Sequence, residues 1–492
     1  MILKKTYTDN NTLLINLVFG FFPISFVFGN LIININILLF CCLGIFYLKS
    51  KILTTKFDFS IKIIFLFFLS VLFSTILSFI KSLYLQEYEG YELTKLIKSI
   101  AFLRFYLLLI IIYLLNKYEI LNYKYFFLFA ACSTLVVSLD IIYQYINGVN
   151  TIGFKGLTLH NSGFFGDELI AGGFLKNFSF FSIFFITFLF KDKKIIKFLF
   201  TILTVCILGT GILLSGNRMP LVLFILGLFL IFLFKNDLKK IIATSILSLF
   251  IIFGSILFLN NDLKTTYVKF YLNVKYDLAS IFVKKKDDKL SEAFTKLEED
   301  GSDVTQPNTI DEKRNEWEKF INPPKWEGGS LKDDFEFFWV MQYEKNSHTK
   351  IYLTALDVWG KNKIFGNGIK SFRKDCQKIL DHKTNRLCSN HPHNYYLEIL
   401  TEVGLVGLVS VLIIAVLFLF FIFKNYKILN NKNLQNLILF AATISLILEA
   451  FPIKTTGSVF TTSNATYLIL IAAIITTYKK AFTSKDSKEL FF

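Results

Sequence analysis

His391-Pro392-His393-Asn394-Tyr395-Tyr396-Leu397-Glu398-Ile399-Leu400-Thr401-Glu402-Val403-Gly404-Leu405-Val406-Gly407-Leu408 lies where a long polar segment gives way to a strongly apolar one. The junction reads as a polar region re-entering a membrane. Glu398 and Glu402 stand at i and i+4 and share one helix face. Gly404 and Gly407 admit a second backbone against that helix. Ionisable groups at a membrane boundary are costly, and clusters of them are functional more often than lone ones. The competing reading is a polar interfacial cap carrying a snorkelling histidine.

Working outward, apolar runs decide the fold class. The 492 residues are 54% hydrophobic and 18% charged, with 58 Phe. About 20 apolar residues span a bilayer core, and roughly a dozen such runs occur. They are expected near 13–29, 31–48, 61–80, 97–115, 126–147, 169–190, 195–215, 219–235, 240–259, 402–423, 435–452 and 462–478. The expectation is an all-α polytopic membrane protein of about 12 helices. Residues 1–259 carry helices 1–9, 260–401 form one large, mostly helical outer loop, and 402–492 carry helices 10–12 and a tail. The start Met1-Ile2-Leu3-Lys4-Lys5 leads into a span without a small-residue cleavage site.

The net charge of +16 invites a nucleic-acid reading, but the Lys residues sit in short loops between apolar runs. With the N-terminus inside, the inner loops hold most of them and the outer ones few, such as Lys81, Lys155 and Lys454. That is the asymmetry of cytoplasmic loops. Both termini then face the cytoplasm and no nucleic-acid partner is expected. All five histidines, His160, His348, His382, His391 and His393, fall outside. Cys376 and Cys388 do too, and an oxidising compartment permits a disulfide between them. Cys41, Cys42, Cys132 and Cys206 lie in spans as small hydrophobes.

Three further outer stretches carry chemistry-bearing groups. Ser215-Gly216-Asn217-Arg218-Met219-Pro220 puts one Arg in a short hairpin ahead of a helix start, an anion site in kind. Asp167 and Glu168 precede another span, as hydroxyl-orienting groups or as helix-dipole partners. Lys454 is a candidate phosphate contact or a plain loop lysine. Arg104 and Asp140, inside spans, need partners, each other or their neighbours. No phosphate-binding glycine loop and no metal-spaced His/Cys set is present, so neither a metal nor a cofactor is expected.

The stretch His391–Leu408 resembles the His-x-His-Asn-x-x-Leu-x-x-Leu-x-Glu-x-Gly-x-x-Gly-Leu signature of the O-antigen ligase and O-antigen polymerase superfamily. Ile364-Phe365-Gly366-Asn367-Gly368 resembles its glycine turn, and Ser215–Arg218 its short Arg-bearing loop. The resemblance implies a glycosyltransferase of the bacterial inner membrane with a periplasmic active site. It implies an undecaprenyl-pyrophosphate-linked glycan as donor and lipid A-core as acceptor. His393 matches the catalytic histidine and Arg218 a pyrophosphate-binding arginine, with His391 and Asn394 beside them. Glu398 or Glu402 would orient His393. The superfamily has a second arginine tens of residues ahead of the histidine; Ser347-His348-Thr349-Lys350 has none, and His348 or Lys350 would replace it. The alternatives are an O-antigen polymerase, a transferase with a protein acceptor and, from a different class, a lipid-linked glycan flippase.

Overall fold

The computed structural model describes residues 10–85, 90–156, 160–265, 267–268, 271, 347–380, 386–424, 434–452, 454–455 and 457–489. His382 lies outside these. The chain divides into two units, 1–267 with 350–492, and 268–349. Residues 350–401 of the expected outer loop thus cluster with the membrane helices.

The described residues contain helices and no strands. They run α1 (Asn10–Gly20), α2 (Phe22–Val27), α3 (Asn30–Leu48), α4 (Lys51–Thr54), α5 (Phe59–Tyr84), α6 (Gly90–Lys117), α7 (Tyr123–Asn147), α8 (Ala171–Leu189), α9 (Lys194–Leu214), α10 (Arg218–Phe234) and α11 (Lys239–Leu259). After the gap come α12 (Ser347–Lys361), α13 (Phe372–Asp375), α14 (Gln377–Leu380), α15 (Tyr395–Lys424), α16 (Leu434–Glu449) and α17 (Thr462–Glu489). Among the described residues, eight helical segments are long and apolar enough to cross a membrane, and shorter apolar ones cover Thr12–Val27, Arg218–Phe234, Asn436–Glu449 and Thr462–Thr476. The protein is an all-α, multi-pass membrane protein. The expected first span is two helices, α1 and α2, with Pro23 in the first turn of the second. Proline is tolerated there because that N–H has no intrahelical partner.

The interior is aromatic. Phe126 meets Phe181 edge to face at 5.2 Å, and Phe178 meets Tyr467 the same way at 5.4 Å. Such pairs add about 0.5–1.5 kcal/mol beyond burial. Without a hydrophobic drive between helices in lipid, close packing of this kind holds a bundle together.

Helix α15 is broken at Gly404, where φ is 73° and ψ −166°. The break releases the carbonyls of Thr401 and Glu402 and the N–H groups of Leu405 and Val406. The loop after α12 takes up all four. Asn367 N–H donates to Thr401 O at 3.1 Å and Gly368 N–H to Glu402 O at 2.9 Å. Leu405 and Val406 donate to Lys363 and Ile364 carbonyls at 3.0 and 3.2 Å. Irregular backbone at membrane depth survives only where protein satisfies it in this way. A side chain at Gly404 would meet Ile364 O at 2.2 Å, and one at Gly366 would meet the Glu402 backbone at 2.5 Å. The two glycines are therefore each other's reason for being glycine. The expected turn at 366–368 is present, with positive φ at Gly366 and Gly368.

Candidate functional site at one end of the bundle

Asn394 caps α15: its Oδ1 accepts from Tyr396 and Leu397 N–H at 3.0 and 3.2 Å, and its amide donates to Pro452 O at 2.8 Å. Both polar ends of this residue are thus engaged within the protein. The preceding His393 has φ 56°, the left-handed region that is uncommon outside glycine. Such backbone persists where its surroundings over-determine it, often at functional sites. The His391 and His393 rings lie 4.2 Å apart, and His393 Nε2 meets Ser389 Oγ at 3.1 Å. Cys376 and Cys388 are disulfide-bonded, with Cα atoms 5.3 Å apart. The bond closes the loop that ends immediately before Ser389.

The two carboxylates of α15 make their hydrogen bonds elsewhere. Buried Glu398 accepts from Val459 N–H at 2.7 Å through Oε2, while Oε1 has no hydrogen-bond partner. Buried Glu402 accepts from Lys370 N–H at 2.6 Å. Lys370 also has positive φ (63°), donates to Ser458 Oγ at 3.0 Å, and accepts from the Tyr91 hydroxyl at its carbonyl. Burial pulls the Lys370 ammonium below its ordinary value, opposed by the charges of Glu402 and Glu398. These carboxylates therefore brace the 366–370 loop and the 458–459 turn against α15 rather than the imidazole of His393.

Arg373, on α13, was missed in the sequence. It precedes His393 by 20 positions, and its guanidinium Nε is buried without a partner. Its charge bears on Lys370, Glu398 and Glu402. The sequence signal for it is Ser371-Phe372-Arg373-Lys374, just past the glycine turn. His348 lies in the first turn of α12 at the edge of the second unit. Lys350, two residues on, belongs to the first.

Arg218 opens α10, and Asn217 locks that hairpin: its Oδ1 accepts from Gly172 N–H at 3.0 Å and its amide donates to Leu169 O at 3.1 Å. Asn161 donates to Leu214 O at 2.9 Å, and His160 Nδ1 lies 3.3 Å from Ser215 O. Arg218 itself is partly exposed and makes no hydrogen bond or ion pair among the described residues. Asp167 and Glu168 are exposed in the turn before α8.

Lys454 is buried, ion-paired with Glu449 and set over the Tyr395 ring at 4.5 Å. Glu449 takes Lys176 of α8 as well. Burial draws Lys454 down to about 8, against the pull of Glu449. A lysine so engaged is a poor phosphate contact but a good tie. It completes a chain of contacts from Asn217 through the start of α8, Glu449 and Lys454 to Tyr395, beside His393. Arg104 and Asp140 do not pair. Asp140 accepts from Asn150 and Thr151 at 2.6–3.1 Å, whereas Arg104 donates to Ala101 O at 2.6 Å and Thr462 Oγ1 at 3.3 Å. Among the described residues no three His, Cys, Asp or Glu side chains converge as metal ligands.

Residues 202–412 match the protein family described as O-antigen ligase. The match takes in both the Arg218 hairpin and the His391–Leu408 stretch. A comparison with curated proteins finds no significant match. The family match supports a function of the O-antigen ligase and polymerase kind, and with it a glycosyltransferase-like enzyme in a bacterial membrane.

Proposed function

We propose that this protein is a ligase-type glycosyltransferase. It moves a glycan from undecaprenyl pyrophosphate to lipid A-core at the periplasmic face of the inner membrane. The observation that carries this reading is the His391–His393 pair, with His393 in left-handed backbone between the Asn394 cap and Ser389, inside the family match.

Each step has a residue in this reading. The acceptor hydroxyl attacks the anomeric carbon while its proton passes to the His393 imidazole, which must be unprotonated beforehand. A histidine with an ordinary pKa near neutrality suits that task. The anomeric carbon–oxygen bond breaks on the opposite face, and its electron pair leaves with the lipid pyrophosphate. The anomeric centre inverts. Arg218, without an internal partner, offsets the charge on the leaving group. Arg373 supplies the second cation in preference to His348 or Lys350, because its guanidinium already lies within the electrostatic reach of the α15 cluster. Ser389 orients the His393 ring, while Glu398 and Glu402 hold the scaffold. His391 and Asp167 or Glu168 are left for contacts with the sugars.

The test is transfer by the purified protein from undecaprenyl-pyrophosphate glycan to lipid A-core, wild type against His393→Ala and His393→Asn. Asparagine tolerates the left-handed backbone, so His393→Asn keeps the fold should His393→Ala strain it, and both lose transfer. A wild type that lengthens the carrier-linked glycan instead is a polymerase. A folded wild type that makes neither product, or a His393→Asn variant of unchanged rate, overturns the reading.

A further inference from the structure

Three buried charges stand between the two halves of the candidate site. Glu449, the last residue of α16, takes both Lys176 of α8 and Lys454 of the loop that follows, and all three side chains are buried. A carboxylate at a helix C-terminus is opposed by the helix dipole. Burying three charges also costs desolvation that apolar residues of the same volume would not incur. Stability alone therefore gives no reason for this triad, whereas its neighbours do.

On one side, the loop after Glu449 holds the three residues after His393 one by one. The Asn394 amide donates to Pro452 O at 2.8 Å, the Lys454 ammonium stands over the Tyr395 ring at 4.5 Å, and the Tyr396 hydroxyl donates to Ala450 O at 2.6 Å. On the other side, Lys176 lies one turn along α8 from Gly172. Gly172 N–H donates to Asn217 Oδ1 at 3.0 Å, and a side chain at Gly172 would meet Ser215 Oγ at 2.5 Å and Asn217 Cβ at 2.7 Å. Residues at i and i+4 share a helix face, so the Arg218 hairpin is seated on the face of α8 that carries Lys176. Tyr467 of α17 adds a further tie by donating to Asn177 O at 2.7 Å.

We infer that Glu449 is a positioning residue: by holding Lys176 and Lys454 together it fixes the His393 imidazole relative to the Arg218 guanidinium. The base serves the attacking hydroxyl on one face of the anomeric carbon and the guanidinium serves the group leaving from the other. Their separation therefore enters the barrier directly, and a misplacement of about 1 Å can cost about 10²-fold in rate. Neither lysine touches substrate. The inference rests on the reading of His393 as base and Arg218 as leaving-group contact, and it states what holds them to one geometry.

The full-length protein would be assayed for transfer from undecaprenyl-pyrophosphate glycan to lipid A-core. Lys454→Met and Lys176→Met each leave one neutral ion pair at Glu449, and either carries the test should the other not fold. Each lowers kcat by about 10- to 10²-fold while the KM of donor and acceptor stays within about twofold of wild type. Lys454→Arg, which keeps the cation, restores kcat. In a His393→Ala background Lys454→Met changes the residual rate no further, because no imidazole remains to be placed. Nitroxide labels carried on keto amino acids at Glu168 and Asn390, both exposed, read the geometry without turnover. Wild type gives one narrow distance distribution, and either Met variant broadens it. Unchanged kcat in a folded Met variant overturns the inference, as does a KM effect in place of a kcat effect. So does an equal loss in the His393→Ala background, which marks lost folded protein. Should wild type make no transfer product, the ligase reading falls and the labels decide alone: an unchanged distribution in the Met variants overturns the role of Glu449.

Discussion

Two polar regions at the same end of the bundle are built in opposite ways. Around Glu398, Glu402 and Lys370, the two carboxylates are buried and accept from backbone N–H groups of the 458–459 turn and the 366–370 loop, and the Glu402 carbonyl accepts from the Ser74 hydroxyl of α5. Around Arg218, the neighbouring Asn217 is tied on both sides while the arginine itself is unbonded among the described residues. The difference separates support from reagent. Groups whose hydrogen-bonding capacity is spent inside the protein fix geometry. Groups held by their neighbours yet unspent themselves remain for a substrate. Preorganised supports and unspent donors are what electrostatic catalysis requires.

The sharpest way to break that contrast is at its two extremes. His393→Ala is expected to slow transfer by ~10²–10⁴-fold, the usual worth of a general base, with the melting temperature near that of wild type. Arg218→Ala follows with a loss of ~10²–10³-fold, as for one donor facing developing charge, again on stable protein. Glu402→Ala should instead leave the Lys370 N–H unsatisfied and cost ~1–3 kcal/mol of stability. A Glu402→Ala protein of wild-type stability but dead in transfer would move Glu402 from support to reagent.

Arg373 sharpens the same line. Arg373→Ala should lower transfer about tenfold, roughly one lost charge-assisted contact, measured beside His348→Ala and Lys350→Ala. A larger loss in either of the latter would return the second phosphate contact to α12. The disulfide acts on stability rather than on chemistry. Cys376→Ser opens the loop before Ser389 and should cost stability on the order of 2–4 kcal/mol, read as a lower midpoint of thermal unfolding, with residual transfer by the folded fraction.

The last effect is the pH dependence of Lys454. It titrates at about 8 when folded against an ordinary 10.5. Between those values the unfolded chain holds the extra proton, so this group's contribution to stability rises with pH from 8 to 10.5. Lys454→Met should remove that rise from a plot of melting temperature against pH, while a substrate-contacting lysine would leave it and change the donor KM instead.

Much of this architecture was legible locally. The apolar runs, the polar-to-apolar junction at 391–408, the glycine turn, the Arg hairpin and the two paired cysteines each occupy a few neighbouring residues. Hydropathy and turn chemistry are sums over such short windows. The i, i+4 spacing of Glu398 and Glu402 shows a shared helix face and says nothing about what that face meets, which is why it does not reveal their bonds to Val459 and Lys370. Lys454 and Arg104 were likewise seen as charges without their surroundings.

What the sequence by itself determined is the class: a helical membrane chain with a histidine-bearing junction and an arginine hairpin. Only the tertiary structure decided which polar groups are spent. The Glu402 carboxylate is taken by Lys370 N–H, 32 positions away, its carbonyl by the Ser74 hydroxyl, 328 away, and the Glu398 carboxylate by Val459 N–H, 61 away. Arg104 meets Thr462 across 358 positions. Hydrogen bonds of that span follow from how helices pack, and packing depends on every helix at once, which no local pattern records.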